Sequence, residues 1–410
     1  MFFYNISIYI VAFHLKLIAY FNPKIKLGVL GRSQTFVTLS QQILKTDKTI
    51  WFHCASLGEY EQGFPVFKEL RTNYPTHKII LSFFSPSGYE IKKHTDVADI
   101  VVYLPLDTKA NAKRFLDLVH PSYIVFVKYD IWPNLLLEVK KRHLKAILIS
   151  AAFRKHQTYF KFYGGNMRKA LFAFDHIFVQ NETSKELLKT IQYYNTTIAG
   201  DTRFDRVLDQ LQIDNSLTFI DAFKANEICI VIGSSWPEDE VILVKFINEY
   251  QDKNIKYIIA PHNIKSNQIE TLKTNILLKT VLFSEKNSKD LSQYNVFIID
   301  TIGLLSKIYA YADIAYVGGA MGSTGLHNIL EPATFGVPIL IGKNYKKFPE
   351  ASKMINEAGV LSIKNFSELN YNLTELITNL TKRKELGELN RKFIEKNKGA
   401  VIQIIDYIRI

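Results

Sequence analysis

Residues 49–72 read TIWFHCASLGEYEQGFPVFKELRT. The stretch begins with strand character over Thr49–His53, turns through CASLGEYEQG, and continues into a helical pattern over Gln62–Thr72. β-Branched and aromatic residues favour the pleated backbone, and Gly58 permits a tight turn. A strand feeding a helix is half of a parallel β–α–β unit. Further strand candidates follow at Lys78–Phe83, Ile100–Tyr103, Tyr123–Val127, Ala146–Ser150 and His176–Gln180, with helical patterns such as Ala110–Val119 and Ser184–Thr190 between them. A second series runs through Glu227–Gly233, Lys256–Ala260, Val296–Asp300, Ile314–Val317 and Pro338–Ile341. This alternation predicts parallel sheets wound by right-handed crossovers. Two series separated by the polar stretch Asp205–Asn226 predict two Rossmann-like α/β domains facing across a cleft. The expected boundaries are 1–30 for an N-terminal helix with a basic flank, 31–210 and 211–385 for the two domains, and 386–410 for a helix returning to the first. Ligands of parallel sheets bind beyond the carboxyl ends of the strands, so chemistry is expected in the loops that follow them.

The chain of 410 residues has room for two domains, and a hydrophobic fraction of 47% supplies their cores. The formal net charge of +12 points to anionic partners. Scattered basic residues argue against a nucleic-acid arm and leave an anionic membrane surface or phosphate-bearing ligands. Cys54 and Cys229 form no metal-binding spacing, so no metal is expected, and a reduced cytosolic compartment is the simplest reading. The first 21 residues, MFFYNISIYIVAFHLKLIAYF, are almost wholly apolar but carry His14 and Lys16. With no basic region before them and no cleavage site after, they predict a membrane-associating helix, or a helix packed only on protein, rather than a secretory signal. Lys24, Lys26 and Arg32 follow, placed to meet anionic headgroups.

Several loops carry candidate chemistry. Glu59 sits at a helix entry, where a carboxylate suits a general base; Ser56 with Glu59 also fits an ordinary capping box. Ser85, Ser87 and Gly88 suit an anion site or a plain turn. Lys128 and Asp130, beside Trp132, read as a substrate-contacting cluster or a surface ion pair. Arg203, in GDTRFD, suits an anionic group or a solvated loop. Ser234 and Ser235 follow an apolar strand and precede PEDE, which reads as a phosphate cradle or as acidic capping. Gly318 and Gly319 open a glycine-rich loop whose amides suit a phosphate, and Glu331 suits ribose hydroxyls.

Taken in order, these loops resemble the 3-deoxy-D-manno-octulosonic acid (Kdo) transferases of lipopolysaccharide biosynthesis. The resemblance runs nearly end to end through SLGE (Ser56–Glu59), YLPLD ending at Asp107, WPN (Trp132–Asn134), QNE (Gln180–Glu182), the RFD of GDTRFD, DTIG, YVGG, HNILEP and Asn397–Ala400. It implies the glycosyltransferase-B fold, with an acceptor domain first and a CMP-sugar domain second. It implies transfer of Kdo from CMP-Kdo to the lipid A precursor, a tetraacyl disaccharide bisphosphate, with inversion and without a cofactor. The place implied is the cytoplasmic face of the bacterial inner membrane. By the same resemblance Glu59 is the general base, Arg203 the transition-state stabiliser, and Pro261, His262, Ile302, Gly303, Leu304, Asn328, Ile329, Leu330 and Glu331 contact CMP. Arg203 stands where the family usually has Lys, and the chain departs from the family pattern in four further places. Lys128 and Asp130 stand where the family has Glu-x-Glu. Ala260–His262 replaces Pro-Arg-His, Ile302–Leu304 replaces Met-Gly-Glu, and Gly325–His327 replaces Gly-Gly-His. The alternatives are another glycosyltransferase of this fold using a UDP- or GDP-sugar, or a non-catalytic membrane scaffold.

Overall fold

A computed structural model describes residues 1–250 and 254–408. It contains two compact units: Met1–Arg206 with the segment from Lys398 onward, and Val207–Asn397. The first is built on β1 (Thr49–Cys54), β2 (Lys78–Phe83), β3 (Ile100–Tyr103), β4 (Tyr123–Val127), β5 (Ala146–Ala151), β6 (His176–Val179) and β7 (Thr196–Ile198). These seven strands are parallel in the order β3-β2-β1-β4-β5-β6-β7. The second holds β8 (Ile228–Ser235), β9 (Ile255–Pro261), β10 (Thr280–Leu282), β11 (Val296–Ile298), β12 (Ile314–Val317), β13 (Ile339–Ile341) and β14 (Val360–Ser362). Its strands, also parallel, run β10-β11-β9-β8-β12-β13-β14.

The central strands are buried from end to end because helices cover both faces of each sheet, as in β1 and β4. Three strands absent from the sequence reading, β7, β10 and β14, are three residues each and lie at sheet edges. In each sheet the order of winding reverses once, between β1 and β4 and between β8 and β12. Loops leaving such a switch point diverge and open a crevice at the carboxyl edge.

The helix after β1 spans Leu57–Asn73, starting earlier than expected, so that Glu59 falls in its first turn. Phe67 of this helix stacks on Phe52 of β1 at 4.1 Å, fixing the helix on the sheet. The expected helix over 386–410 is corrected. Residues Leu380–Lys396 pack within the second unit, and the chain breaks at Asn397–Gly399. Only the helix Ala400–Tyr407 lies against Leu57–Asn73 of the first unit. The last two residues of that expectation lie outside the described ones. Asp205 accounts for the return: its carboxylate accepts the amides of Gly399 at 2.7 Å and Ala400 at 3.1 Å, capping the final helix.

At the other end, the helix Phe2–Ile18 buries none of its residues and exposes Phe2, Phe3, Ile6, Tyr9, Ile10, Phe13 and Leu17. It is tethered at two points: the Tyr4 hydroxyl donates to Asp107 at 2.7 Å, and Asn134 Nδ2 donates to Asn5 Oδ1 at 2.8 Å. Among the described residues no helix is long and apolar enough to cross a membrane. Lys24 and Lys26 are exposed. Arg32 is not placed for headgroups: its guanidinium turns inward to the carbonyls of Leu104, Gly28 and Phe84 and stacks on the Phe84 ring.

Candidate functional site

In the first unit, candidate residues gather where β1 and β4 part. Glu59 is 9% exposed. Its Oε2 accepts the Ser56 amide at 2.8 Å and the Ser56 hydroxyl at 3.1 Å, so the capping box forms. The capping and functional readings therefore do not compete: the cap fixes one carboxylate oxygen and leaves the other without a hydrogen-bond partner among the described residues. Burial pushes the Glu59 carboxyl above its ordinary range. Asp130 adds to the rise, while Lys128, the Ser56 hydrogen bond and His53 oppose it. A buried carboxylate so shifted holds a proton more tightly, which suits a base working near neutral pH.

Lys128 sits at the end of β4 with φ 72°, a left-handed conformation that costs a side chain about 1–3 kcal/mol. Its amide still donates to Ile149 O at 2.8 Å, so the sheet ladder imposes the turn. The reversal brings Asp130 over the sheet edge. Asp130 Oδ2 lies 2.6 Å from His53 Nε2 and accepts the Trp132 indole N–H at 2.8 Å. On its far side His53 Nδ1 meets the Ser82 hydroxyl at 2.8 Å, and Ser82 also accepts the Trp51 N–H at 2.8 Å. With His53 carrying its proton on Nε2, Trp51, Ser82, His53 and Asp130 form one relay running out of the buried sheet. His53 and Ser82 were not picked out from sequence, because each occupies a position that reads simply as strand. Arg203 is held by Asp201, through Nε at 2.9 Å and Nη2 at 2.7 Å. The anion-site reading of Ser85, Ser87 and Gly88 gives way to a cap: the Ser87 amide donates to Ser85 Oγ at 3.3 Å.

In the second unit the crevice between β8 and β12 is differently filled. Asp239 is fully buried, and its carboxylate accepts the amides of Trp236 at 3.0 Å and Gly319 at 2.8 Å and the Tyr316 hydroxyl at 2.7 Å. The Gly318 amide donates to Gly233 O at 2.9 Å. Ser235 donates its hydroxyl to Glu240 at 2.9 Å, and Ser234 lies at φ 53°. Three of the four members of the expected phosphate cradle of Ser234, Ser235, Gly318 and Gly319 thus have groups already bonded within the protein. The glycine amides and the Ser235 hydroxyl are engaged by the protein itself. The need for glycine at 318 is steric, since a Cβ there would lie 2.4 Å from Ser234 O.

Beside this plug lies a stack of rings. Trp236 is parallel to His262 at 4.4 Å, His262 lies 4.6 Å from His327, and the Trp236 N–H donates to His327 Nε2 at 3.0 Å. Burial, helped by the neighbouring His262, lowers His327 to about 4, so it stays neutral and can accept that bond. Trp236 and His327 were missing from the expected contact set, although both follow strand ends. Asn328 donates to Glu331 at 3.0 Å and its Oδ1 accepts the Leu330 amide, which ties Asn328–Glu331 into one turn with Ile329 buried inside it. The loop Ile302–Leu304 is open: Ile302 is exposed, and nothing lies near the position of a Cβ on Gly303. On the other side of the glycine-rich loop, Lys343, Lys346, Lys347 and Lys364 border a recess of about 1290 Å³. Among the described residues no group of three or more His, Cys, Asp or Glu side chains could hold a metal ion.

Residues 30–206 match the family described as 3-deoxy-D-manno-octulosonic-acid transferase (kdotransferase). The Aquifex aeolicus 3-deoxy-D-manno-octulosonic acid transferase is 29% identical over 335 residues, 80% of this chain and 86% of that one. The Haemophilus influenzae enzyme of the same name is 27% identical over 379 residues, 88% and 86% respectively. The chain is a relative of the Kdo transferases. These are glycosyltransferases of lipopolysaccharide biosynthesis. A longer relative, the bifunctional glycosyltransferase/methyltransferase of Fusobacterium nucleatum, is 26% identical over 392 residues; the match covers 91% of this chain and only 60% of that protein. Among solved structures, the UDP-GlcNAc 2-epimerase of Neisseria meningitidis has a TM-score of 0.62 at 15% identity, covering 88% of this chain and 99% of that one. A Rickettsia africae glycosyltransferase scores 0.57 at 12% identity, covering 88% and 97%. These likenesses are of fold alone, the two-sheet α/β fold of the glycosyltransferase-B kind. The loops that carry the resemblance thus divide by role. SLGE and WPN build the edge that carries Glu59, whereas the RFD of GDTRFD supplies the Asp205 cap.

Proposed function

We propose that this protein transfers Kdo from CMP-Kdo to a lipid A precursor at the cytoplasmic face of the inner membrane, without a metal or other cofactor. The observation that carries the reading is the setting of Glu59: a nearly buried carboxylate, one oxygen fixed by Ser56 and the other unpartnered, with its proton affinity raised. In this reading the unpartnered oxygen takes the proton of the acceptor hydroxyl as its oxygen forms a bond to the anomeric carbon of Kdo. The bond from that carbon to the CMP phosphate breaks, and CMP leaves with the electron pair. Attack from the face opposite CMP inverts the centre. Arg203, oriented by Asp201, offers positive charge for the transition state, and Lys128 offers a second cation in place of the family carboxylate. Asp130, gripped by His53 and Trp132, is a positioning group for this edge.

For the donor, the ring stack of Trp236, His262 and His327 gives a flat surface of the kind on which a base rests. Pro261, Ile302–Leu304 and Asn328–Glu331 complete the assigned set. The lysine-bordered recess supplies positive potential for an acidic sugar nucleotide. Helix Phe2–Ile18, apolar and unburied, is assigned to an anionic membrane surface, with Lys24 and Lys26 beside it.

Mass analysis of the product formed from CMP-Kdo and tetraacyl disaccharide bisphosphate tests the reaction. The expected result is a lipid heavier by one or more Kdo residues. Thermal protection by CMP but not by UDP or GDP is expected alongside it; protection by UDP with no Kdo-lipid formed would replace this donor with another nucleotide sugar.

A further inference from the structure

The loop after β5 leaves the sheet after Ala151 and runs to the helix Gly165–Leu171. Its base is packed. Phe153, Tyr159 and Phe160 meet edge to face at 5.0–5.7 Å, with Tyr159 buried. Its path is pinned as well. Arg168 Nη1 donates to the carbonyls of Lys161 at 2.7 Å and Tyr159 at 3.2 Å, and the Gly164 amide returns to Lys161 O at 2.9 Å. A Cβ on Gly164 would lie 1.8 Å from Thr158 O, so only glycine closes this turn. From that rigid base two aromatic side chains point into solvent: Phe162 is 94% exposed and Tyr163 65%, in edge-to-face contact at 5.2 Å.

A loop so firmly built does not leave two large rings in water for its own stability. Arg154, Lys155 and Lys161 flank the tip, and no Asp or Glu occurs between residues 151 and 174, so this region is locally basic although basic residues are scattered elsewhere. Exposed aromatic rings, one of them a tyrosine, on a locally basic loop match the interfacial zone of an anionic bilayer, where rings settle at headgroup depth and cations meet phosphates. The placement agrees. The tip rises from the carboxyl edge of the sheet, the edge that carries Glu59. The N-terminal helix is tied to Asn134, at the start of the helix Pro133–Lys141, and the helix Gly165–Leu171 packs on that same helix.

We propose that the Phe162–Tyr163 tip is a second lipid contact, separate from the N-terminal helix, which seats the carboxyl edge of the first unit on an anionic membrane. The proposal deepens the membrane reading given above but stands on its own residues. The test uses full-length protein with Phe162→Trp, Phe13→Trp or, as a control in the second unit, Leu277→Trp. Each is mixed with vesicles of brominated phosphatidylglycerol or brominated phosphatidylcholine. Phe162→Trp fluorescence should shift to the blue and be quenched by phosphatidylglycerol vesicles far more than by phosphatidylcholine, with Leu277→Trp unchanged. The double variant Phe162→Ser/Tyr163→Ser should fold normally and bind phosphatidylglycerol vesicles about tenfold more weakly. Quenching of Phe13→Trp without Phe162→Trp overturns this proposal and leaves the N-terminal contact standing. Quenching of Phe162→Trp alone keeps the proposal and removes the N-terminal contact, whereas silence from both defeats the two together. A dimer in solution that the double variant dissolves would give the tip to a second copy and also overturn the proposal.

Discussion

Replacing Glu59 with Gln separates its two duties. The amide retains an oxygen that can accept from the Ser56 amide and hydroxyl, and Gln is as acceptable as Glu at this position of a capping box. The cap is worth about 1 kcal/mol, so even its partial loss should move the melting temperature by no more than about 2–4 °C. The charge works in the opposite direction. The folded-state pKa of Glu59 is raised, so its stabilising contribution is complete below the ordinary value and is lost as pH rises through the folded value. At neutral pH the buried carboxylate is unfavourable for folding, and Gln relieves that cost. Stability should therefore be nearly unchanged, while loss of a positioned base should lower turnover by about 10²–10⁴. The assay is the initial rate of Kdo-lipid formation across pH, with melting followed in parallel. Wild-type rate should rise with pH through a limb lying above the ordinary carboxylate range, because only deprotonated Glu59 accepts a proton, and Gln should abolish that limb. A folded Glu59→Gln protein keeping more than about a tenth of wild-type turnover, a barrier change under ~1.4 kcal/mol, would remove Glu59 from the role of base.

Three further outcomes are expected. Asp205→Ala removes the acceptor shared by the Gly399 and Ala400 amides, should cost about 1–3 kcal/mol, and should strip hydrogen-exchange protection from residues 400–408 before the rest of the first unit. Gly318→Ala forces a methyl onto Ser234 O and should destabilise the second unit by about 1–3 kcal/mol in denaturant melts, with a loss of CMP binding that follows unfolding. His327, lowered to about 4, contributes stability that is present above the ordinary histidine range and is lost as pH falls through that value; His327→Asn should flatten this part of the stability–pH curve, and the wild-type imidazole should read neutral by NMR at pH 6.

Much of the architecture was legible because parallel strands buried on both faces are continuous apolar runs, and the helical patterns between them are long enough to recognise. The strands that escaped, β7, β10 and β14, sit at edges where three residues suffice to pair. The candidate site was legible where chemistry and local structure share the same few residues, as at Ser56–Glu59. It was not legible where a polar group sits inside a strand. His53 reads as one residue of TIWFH until β4 delivers Asp130 to its ring, and the two are 77 positions apart.

From the sequence alone came the two α/β series, the ordered loops that align with the Kdo transferases, and Glu59 at a helix entry. Tertiary structure alone decided which polar groups are committed. The Gly319 amide, open to a phosphate on paper, is taken by Asp239 from 80 residues away, and Arg32, basic on paper, is drawn in by carbonyls of distant turns. The physical reason is common to both. A buried polar group must find a partner, and which partner lies within 3 Å depends on how the strands are ordered in the sheet, something no local pattern encodes.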